Sequence, residues 1–341
     1  MKVLIRSPFF LAVIAGILFL PSCTEMNTEP FWIYTGLYEH TYSALDPIIQ
    51  KLSPKRPIHW YSTGSEAIIQ TLEAEFKAGI HRADLVLLTD PLYYFELKQN
   101  HRLLSYDSPA ARDVPDDFKD SDHYFSAVRY VSVGIGYNRN VLGGKNQPKP
   151  PASWAELKDQ KWKNQISMPN PVESGSGFTS SVLLSSAFGW DFFPRLFDNK
   201  MLALNMSSSV VTRIELAQKP VGILLLEDIL EAKANGIPIE PVVPKEGLAV
   251  FPGLIAIMDG TSDVGLARRL YDWFYSDDAQ NTLVKSGMNS ALARIPAPVG
   301  GMTRDQLLAH KINLPISKLK ELAAQRPEIR KKIDSIFKPT N

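Results

Sequence analysis

"IHWYSTGSEAIIQTLEAEFKA", residues 58–78, holds three kinds of segment in one line. Residues 58–61 (IHWY) are short, apolar and aromatic, which predicts a buried strand. Ser62-Thr63-Gly64-Ser65 is a turn made of hydroxyls and glycine. Residues 66–78 then place Ile68, Ile69, Leu72 and Phe76 on one helical face. Next, residues 83–88 (ADLVLL) are apolar without alternation, as in a strand covered on both faces. A strand, a crossover helix and a second strand predict α/β layers around a mostly parallel sheet.

The same unit recurs along the chain. Residues 31–34 (FWIY) end at Thr35-Gly36, and residues 43–52 (SALDPIIQKL) have helical apolar spacing. Residues 128–137 form a long β-rich run. Residues 166–168 read as a short strand leading into "NPVESGSGFTSSVLL", residues 170–184, where Ser174-Gly175-Ser176-Gly177 opens a helix. Residues 201–205 form a further strand, closed by Met206-Ser207-Ser208-Ser209. Residues 221–226 (VGILLL) are the clearest buried strand, and Glu227-Asp228 follows at the head of a helix over 228–234. Residues 237–244 are extended, 253–258 apolar, and 267–275 and 316–324 helical. There is no internal repeat.

The chain starts MKVLIRSPFFLAVIAGILFLPS. Lys2 and Arg6 precede an apolar run over 9–20, which suits a signal-peptide core and is short for a membrane span. Leu20-Pro21-Ser22-Cys23 resembles a bacterial lipobox. That resemblance implies export, removal of residues 1–22, a lipid thioether on Cys23 and a tether over 23–30; the alternative is a plain secretory signal with an incidental cysteine. Cys23 is the only cysteine, so no intramolecular disulfide is possible. Without Lys2 and Arg6 the chain carries 35 basic against 36 acidic residues, a balance that argues against general nucleic-acid binding. More than 300 residues remain for the mature fold, enough for two lobes.

Three loops share one design, a buried strand followed by a Ser/Thr/Gly turn and a helix. They are Tyr34-Thr35-Gly36, Ser62-Thr63-Gly64-Ser65 and Ser174-Gly175-Ser176-Gly177. A helix N-terminus leaves backbone N–H groups unpaired and carries partial positive charge. Glycine lets a ligand approach that backbone, and hydroxyls add donors, so such loops make anion sites without a Lys or Arg. Ordinary N-capping is the alternative role for the same residues. Glu227 and Asp228 are positioned either to accept hydrogen bonds from a polyol or amine or to cap their helix. Arg129 is placed to meet an anionic ligand or a structural carboxylate, and His40 lies near the first turn. Enzyme signatures are missing: there is no HExxH, P-loop or GxSxG motif, Gly134-Ile135-Gly136 lacks the third glycine of a dinucleotide loop, and Ser317 to Lys320 (SKLK) fits SxxK without partner motifs.

These segments together resemble the bacterial extracellular solute-binding proteins of ABC importers, of the ferric-ion-binding type with a class II periplasmic binding fold. The resemblance is carried by YTG and STGS after the first two strands, by ADLVLLTD, by PASWAELKDQKWKNQISMPNPVESGSG, by PVGILLLEDILEAKANGIPIEPVVPKEG and by DWFYSDDAQ. It implies two α/β lobes joined by crossing strands, with a ligand cleft at the hinge: residues 31–130 plus 245–275 in one lobe, 131–244 plus part of 276–341 in the other. It also implies a monomeric binder rather than an enzyme, free of cofactor and metal, which hands its solute to a membrane permease and its ATPase. Ferric members carry adjacent tyrosines after the strand equivalent to 221–226; here Leu226-Glu227-Asp228 stands there instead, and Tyr93-Tyr94 lies in a different segment. The anion loop at Ser174, Gly175 and Ser176 is kept. The combination resembles the branches that bind hexose phosphates and phosphonates. In that reading Thr35, Gly36, Ser62, Thr63, Gly64, Ser174, Gly175, Ser176, Ser207 and Ser208 hold a phosphoryl group, and Asn205, Glu227 and Asp228 hold the organic part. The alternatives are a ferric ion with a synergistic anion, or a phosphoester hydrolase.

Overall fold

The structure is a computed structural model that describes residues 29–312 and 316–338. The expected signal peptide, Cys23 and most of the tether lie outside the described residues. The first half of the chain runs β1 (Phe31–Thr35), α1 (Glu39–Ile49), β2 (Ile58–Ser62), α2 (Ser65–Lys77), β3 (Ala83–Leu88), α3 (Pro91–Gln99), β4 (Leu103–Leu104) and the long β5 (Ser126–Asn138). Then come β6 (Ile166–Pro169), α4 (Gly175–Phe188), α5 (Phe192–Asp198), β7 (Leu202–Leu204), α6 (Ser207–Glu215), β8 (Val221–Leu225), α7 (Leu226–Ala234) and β9 (Ile239–Val242). The chain closes with β10 (Ala249–Met258), α8 (Val264–Trp273), α9 (Asp277–Lys285), β11 (Asn289–Ser290), α10 (Arg304–Ala309), α11 (Ile316–Ala324) and α12 (Arg326–Phe337).

The strands form one sheet in the order β2-β1-β3-β10-β5-β8-β6-β7. Pairing is parallel within β2-β1-β3 and within β8-β6-β7, as βα repeats require. Between these halves lie β10 and β5, antiparallel to each other and to their outer neighbours. The expectation of a mostly parallel sheet therefore holds within each half and fails at the centre, where two strands carry the chain back and forth. The result is a two-lobed α/β fold, one lobe on β1, β2 and β3, the other on β6, β7 and β8, with β5 and β10 as the link.

Local sequence accounts for most element bounds. β3 is buried along its whole length, as its unbroken apolar run requires, and α2 turns Ile68, Ile69 and Leu72 inward. Asp90 caps α3 by accepting from Leu92 N and Tyr93 N, with Pro91 in the first turn. Some bounds shift. α1 starts four residues before the predicted 43 and keeps Pro47 inside. Leu226, read as the end of a strand, starts α7, so Glu227 and Asp228 sit in its first turn rather than ahead of it. In the C-terminal region α9 packs on α1, α11 on α3 and α12 on α4, so this region contacts both lobes. No helix among the described residues is long and apolar enough to cross a membrane.

Candidate functional site

Where the carboxyl ends of the strands meet their helices, the two lobes face each other across a cavity of about 720 Å³. Strand–turn–helix units place a helix N-terminus at the end of each parallel strand, so these ends collect around the cleft. From the first lobe come Gly36 and Tyr38 before α1, Gly64 and Ser65 at the start of α2, and Thr89 before α3. From the second come Ser174, Gly175 and Ser176 at α4, Asn205, Met206, Ser207 and Ser208 at α6, and Leu225, Glu227 and Asp228 at α7. No side chain caps α1, α2, α6 or α7; Thr41 N and Ser209 N bond to the Tyr38 and Met206 carbonyls, and the N–H groups ahead of them face the cleft without a side-chain cap. At α4 the Ser174 hydroxyl takes the Gly177 N–H at 3.1 Å and stands 3.1 Å from the Ser176 hydroxyl.

Gly175 allows the lobes to touch, and Gly36 lets the first turn pack on α2 within the first lobe. A Cβ on Gly175 would stand 2.5 Å from the Ser65 Cβ, and one on Gly36 would stand 2.8 Å from the Ser65 Oγ. Both distances are shorter than real Cβ contacts, so α2, α4 and the first turn approach through missing side chains. Nearby, the Thr179 hydroxyl donates to the Thr89 carbonyl at 2.9 Å across the same seam.

Opposite this donor-rich seam the wall is acidic. Arg129, on β5, is buried and pairs with Glu227 Oε2 at 2.7 Å. Tyr38, from the first lobe, donates its hydroxyl to Asp228 Oδ1 at 2.7 Å. The second oxygens, Glu227 Oε1 and Asp228 Oδ2, are buried with no hydrogen-bond partner among the described residues. Burial raises the Glu227 carboxyl above its ordinary range against the pull of Arg129. Burial and the charge of Glu227 push Asp228 up to about 7, opposed by the hydrogen bond from Tyr38. The Tyr38 hydroxyl is held well above its usual range, first by burial and then by the two carboxylates. Glu173, Glu215 and Glu231 also face the cavity, whereas its basic lining residues are Arg129 and His40. Anion-stabilising backbone at one wall and unpartnered acceptors at the other suit a solute that is anionic at one end and rich in donors at the other.

The structure brings together Gly36, Gly64, Ser174, Gly175, Ser176, Asn205, Ser207, Ser208, Glu227 and Asp228. Thr35, Ser62 and Thr63 are not among the lining residues. The Thr35 hydroxyl accepts from Leu37 N at 3.1 Å, and the Ser62 hydroxyl donates to the Leu37 carbonyl at 2.9 Å, so both fasten the first turn from behind. Sequence reasoning does not single out Tyr38, Ser65, Thr89 or Glu173 as ligand-facing. Ser65 closes the predicted 62–65 turn and Tyr38 lies two residues past Gly36, and these positions are the signal that could have found them. Tyr93 and Tyr94 are fully buried and bonded to Glu73 and to backbone carbonyls, away from the cavity. No group of three or more His, Cys, Asp and Glu side chains placed to hold a metal occurs among the described residues.

The family model described as "Bacterial extracellular solute-binding protein" matches residues 82–306. A probable ABC transporter periplasmic-binding protein of Sinorhizobium fredii is 24% identical over 238 residues, covering 64% of each chain. The chain spans from half to just under two thirds of the length of the curated relatives it matches. Among solved structures, the periplasmic binding protein AfuA of Actinobacillus pleuropneumoniae with fructose 6-phosphate bound superposes with a TM-score of 0.79 at 20% identity, over 92% of this chain and 99% of that one. Iron-bound HitA of Pseudomonas aeruginosa gives 0.76 at 13% identity, over 90% and 99%. At these identities the two structures share the fold with this chain.

Proposed function

The chain belongs to the bacterial extracellular solute-binding protein family, and we propose that it captures a phosphorylated small solute, a sugar phosphate or similar organophosphate, and delivers it to an ABC permease and its ATPase. In this proposal it is an exported, lipid-anchored, monomeric binder rather than an enzyme. The proposed lobes divide where β5 and β10 cross, with residues 31–130 plus 245–275 in one and 131–244 plus part of 276–341 in the other. The observation that carries the reading is the convergence of uncapped helix N-termini and the Ser174-Gly175-Ser176 loop on one cleft. Phosphoryl oxygens accept from those N–H groups and from Ser65, Ser174, Ser176, Ser207 and Ser208. Glu227 and Asp228, each with a free buried oxygen, accept from hydroxyls or an amine on the organic part. Closure of the lobes around the solute, and reopening at the permease, completes the cycle.

A related fold binds fructose 6-phosphate and another binds iron, so the donor set has to discriminate. Tyr38 is the tyrosine among the lining residues, and its hydroxyl is engaged by Asp228, so the cavity lacks the adjacent tyrosine pair expected of a ferric site. A thermal-shift series with fructose 6-phosphate, glucose 6-phosphate, 2-aminoethylphosphonate, inorganic phosphate and ferric citrate tests the reading. A phosphorylated solute at 100 times its Kd stabilises by about 2.7 kcal/mol. Stabilisation by ferric citrate alone, with no response to any phosphorylated compound, overturns it.

A further inference from the structure

Outside the cavity lining, the C-terminal helices reach both lobes. α11 packs on α3 of the first lobe. The far end of α12 lies in the second, where Phe337 meets Phe193 at 5.1 Å and Phe197 at 5.3 Å. Between these anchors, two arginines of α12 enter the seam beneath the anion loops. Arg326 is buried and binds Asp90 Oδ2 at 2.9 Å and Glu96 Oε2 at 3.4 Å in the first lobe. Its guanidinium lies over Tyr93 of the first lobe and over Phe178 of the second. Arg330 pairs with Glu66, in the first turn of α2, and donates to the Val172 carbonyl at 2.7 Å. It too lies over the Phe178 ring, at 5.4 Å.

Glu66 follows Gly64 and Ser65, and Val172 precedes Ser174 by two residues. One guanidinium therefore grips the backs of two loops whose fronts line the cavity. We propose that α12 braces the site: Arg330, with Arg326, is a positioning residue that holds the first turn of α2 against the loop opening α4, so that solute affinity depends on a helix outside the cavity lining. The inference rests on the functional reading above only for what the cavity holds. It also explains why carboxyls as close as Glu66 and Asp90 are tolerated in a buried seam. Burial and the Asp90 charge drive Glu66 up to about 7, and the two arginines of α12 are the groups that oppose this. Withdrawing a guanidinium leaves the carboxyls to repel and the two loops untied.

The test uses the full chain carrying Arg330→Met, Arg330→Lys or, on the exposed face of the same helix, Lys331→Ala. Small-angle scattering gives the radius of gyration without solute, and calorimetry gives the affinity for fructose 6-phosphate as probe. Arg330→Met is expected to enlarge the radius of gyration and weaken the probe by about tenfold or more, whereas Arg330→Lys recovers most of the loss. Lys331→Ala matches the parent chain. An Arg330→Met protein with the parent's radius of gyration and an affinity within about twofold overturns the brace. Should Arg330→Met fail to fold, Glu66→Gln cuts the same link from the other end and is read in the same way. If the parent chain does not take up the probe, the solute reading loses that candidate, and the radius of gyration alone decides the brace.

Discussion

Replacing Gly175 by Ala tests the cleft most directly. The added Cβ would stand 2.5 Å from the Ser65 Cβ and 3.0 Å from its Oγ. Carbon atoms in good contact are about 3.5–4.0 Å apart, so α2 and α4 must separate by about 1 Å at their N-termini. The obstructing Cβ belongs to a helix and cannot swing aside as a long side chain would. Gly175 is not among the positive-φ glycines and begins α4, so Ala suits the backbone; helix propensity favours it by up to about 1 kcal/mol. The forced separation costs about 1–3 kcal/mol against that gain, so fold stability without solute is expected to fall modestly while binding falls further. An anion held by both loops loses the good geometry of about two charge-assisted hydrogen bonds, about 3 kcal/mol or on the order of 100-fold in Kd. Calorimetric titration with fructose 6-phosphate, alongside thermal unfolding of both proteins, reads the two effects separately. Gly265→Ala in α8, where the nearest atom is 3.5 Å away, shares the helix effect and should leave binding unchanged. Undiminished affinity in Gly175→Ala would refute the claim that α2 and α4 clasp one ligand.

Three further outcomes are expected. Arg129→Met strands the buried Glu227 without its partner and should lower unfolding stability by about 3–5 kcal/mol in urea titration, more than any exposed ion pair would. Asp228, pushed up to about 7 when folded, favours the folded state while protonated, so its contribution is full below the unfolded carboxyl range and is lost as pH rises through about 7. Melting temperature should therefore fall more steeply from pH 4 to pH 7 in the parent chain than in Asp228→Asn. Tyr38→Phe removes the hydrogen bond across the cleft to Asp228 and should cost about 1–2 kcal/mol of stability, seen in the same urea titration.

The legible part of the site was the part encoded within a few residues. Ser174, Gly175 and Ser176 follow a buried strand and open a helix, and that order alone places hydroxyls and free N–H groups together. Gly64 and the pair Ser207 and Ser208 were found in the same way. Thr35 and Ser62 show the limit of that logic, because a turn residue can face the ligand or fasten the turn, and the composition is the same in both cases. Here each bonds to the backbone of Leu37. Leu226 continues an apolar run and so reads as strand, yet it is buried as the first residue of α7, because burial constrains polarity and leaves backbone conformation open.

By itself, then, the sequence determined the α/β units and the hydroxyl- and glycine-rich turns that open their helices, since both follow from the hydrogen-bonding and steric properties of neighbouring residues. Only the tertiary structure decided which turns share a cavity and what stands opposite them. Tyr38 meets Asp228 across 190 residues, Arg129 meets Glu227 across 98, and Arg326 meets Asp90 across 236. Such pairs leave no periodicity in the chain. They form because β5 and β10 fold the two halves of the sheet together and α12 returns to them, which brings buried groups far apart in sequence within hydrogen-bond reach.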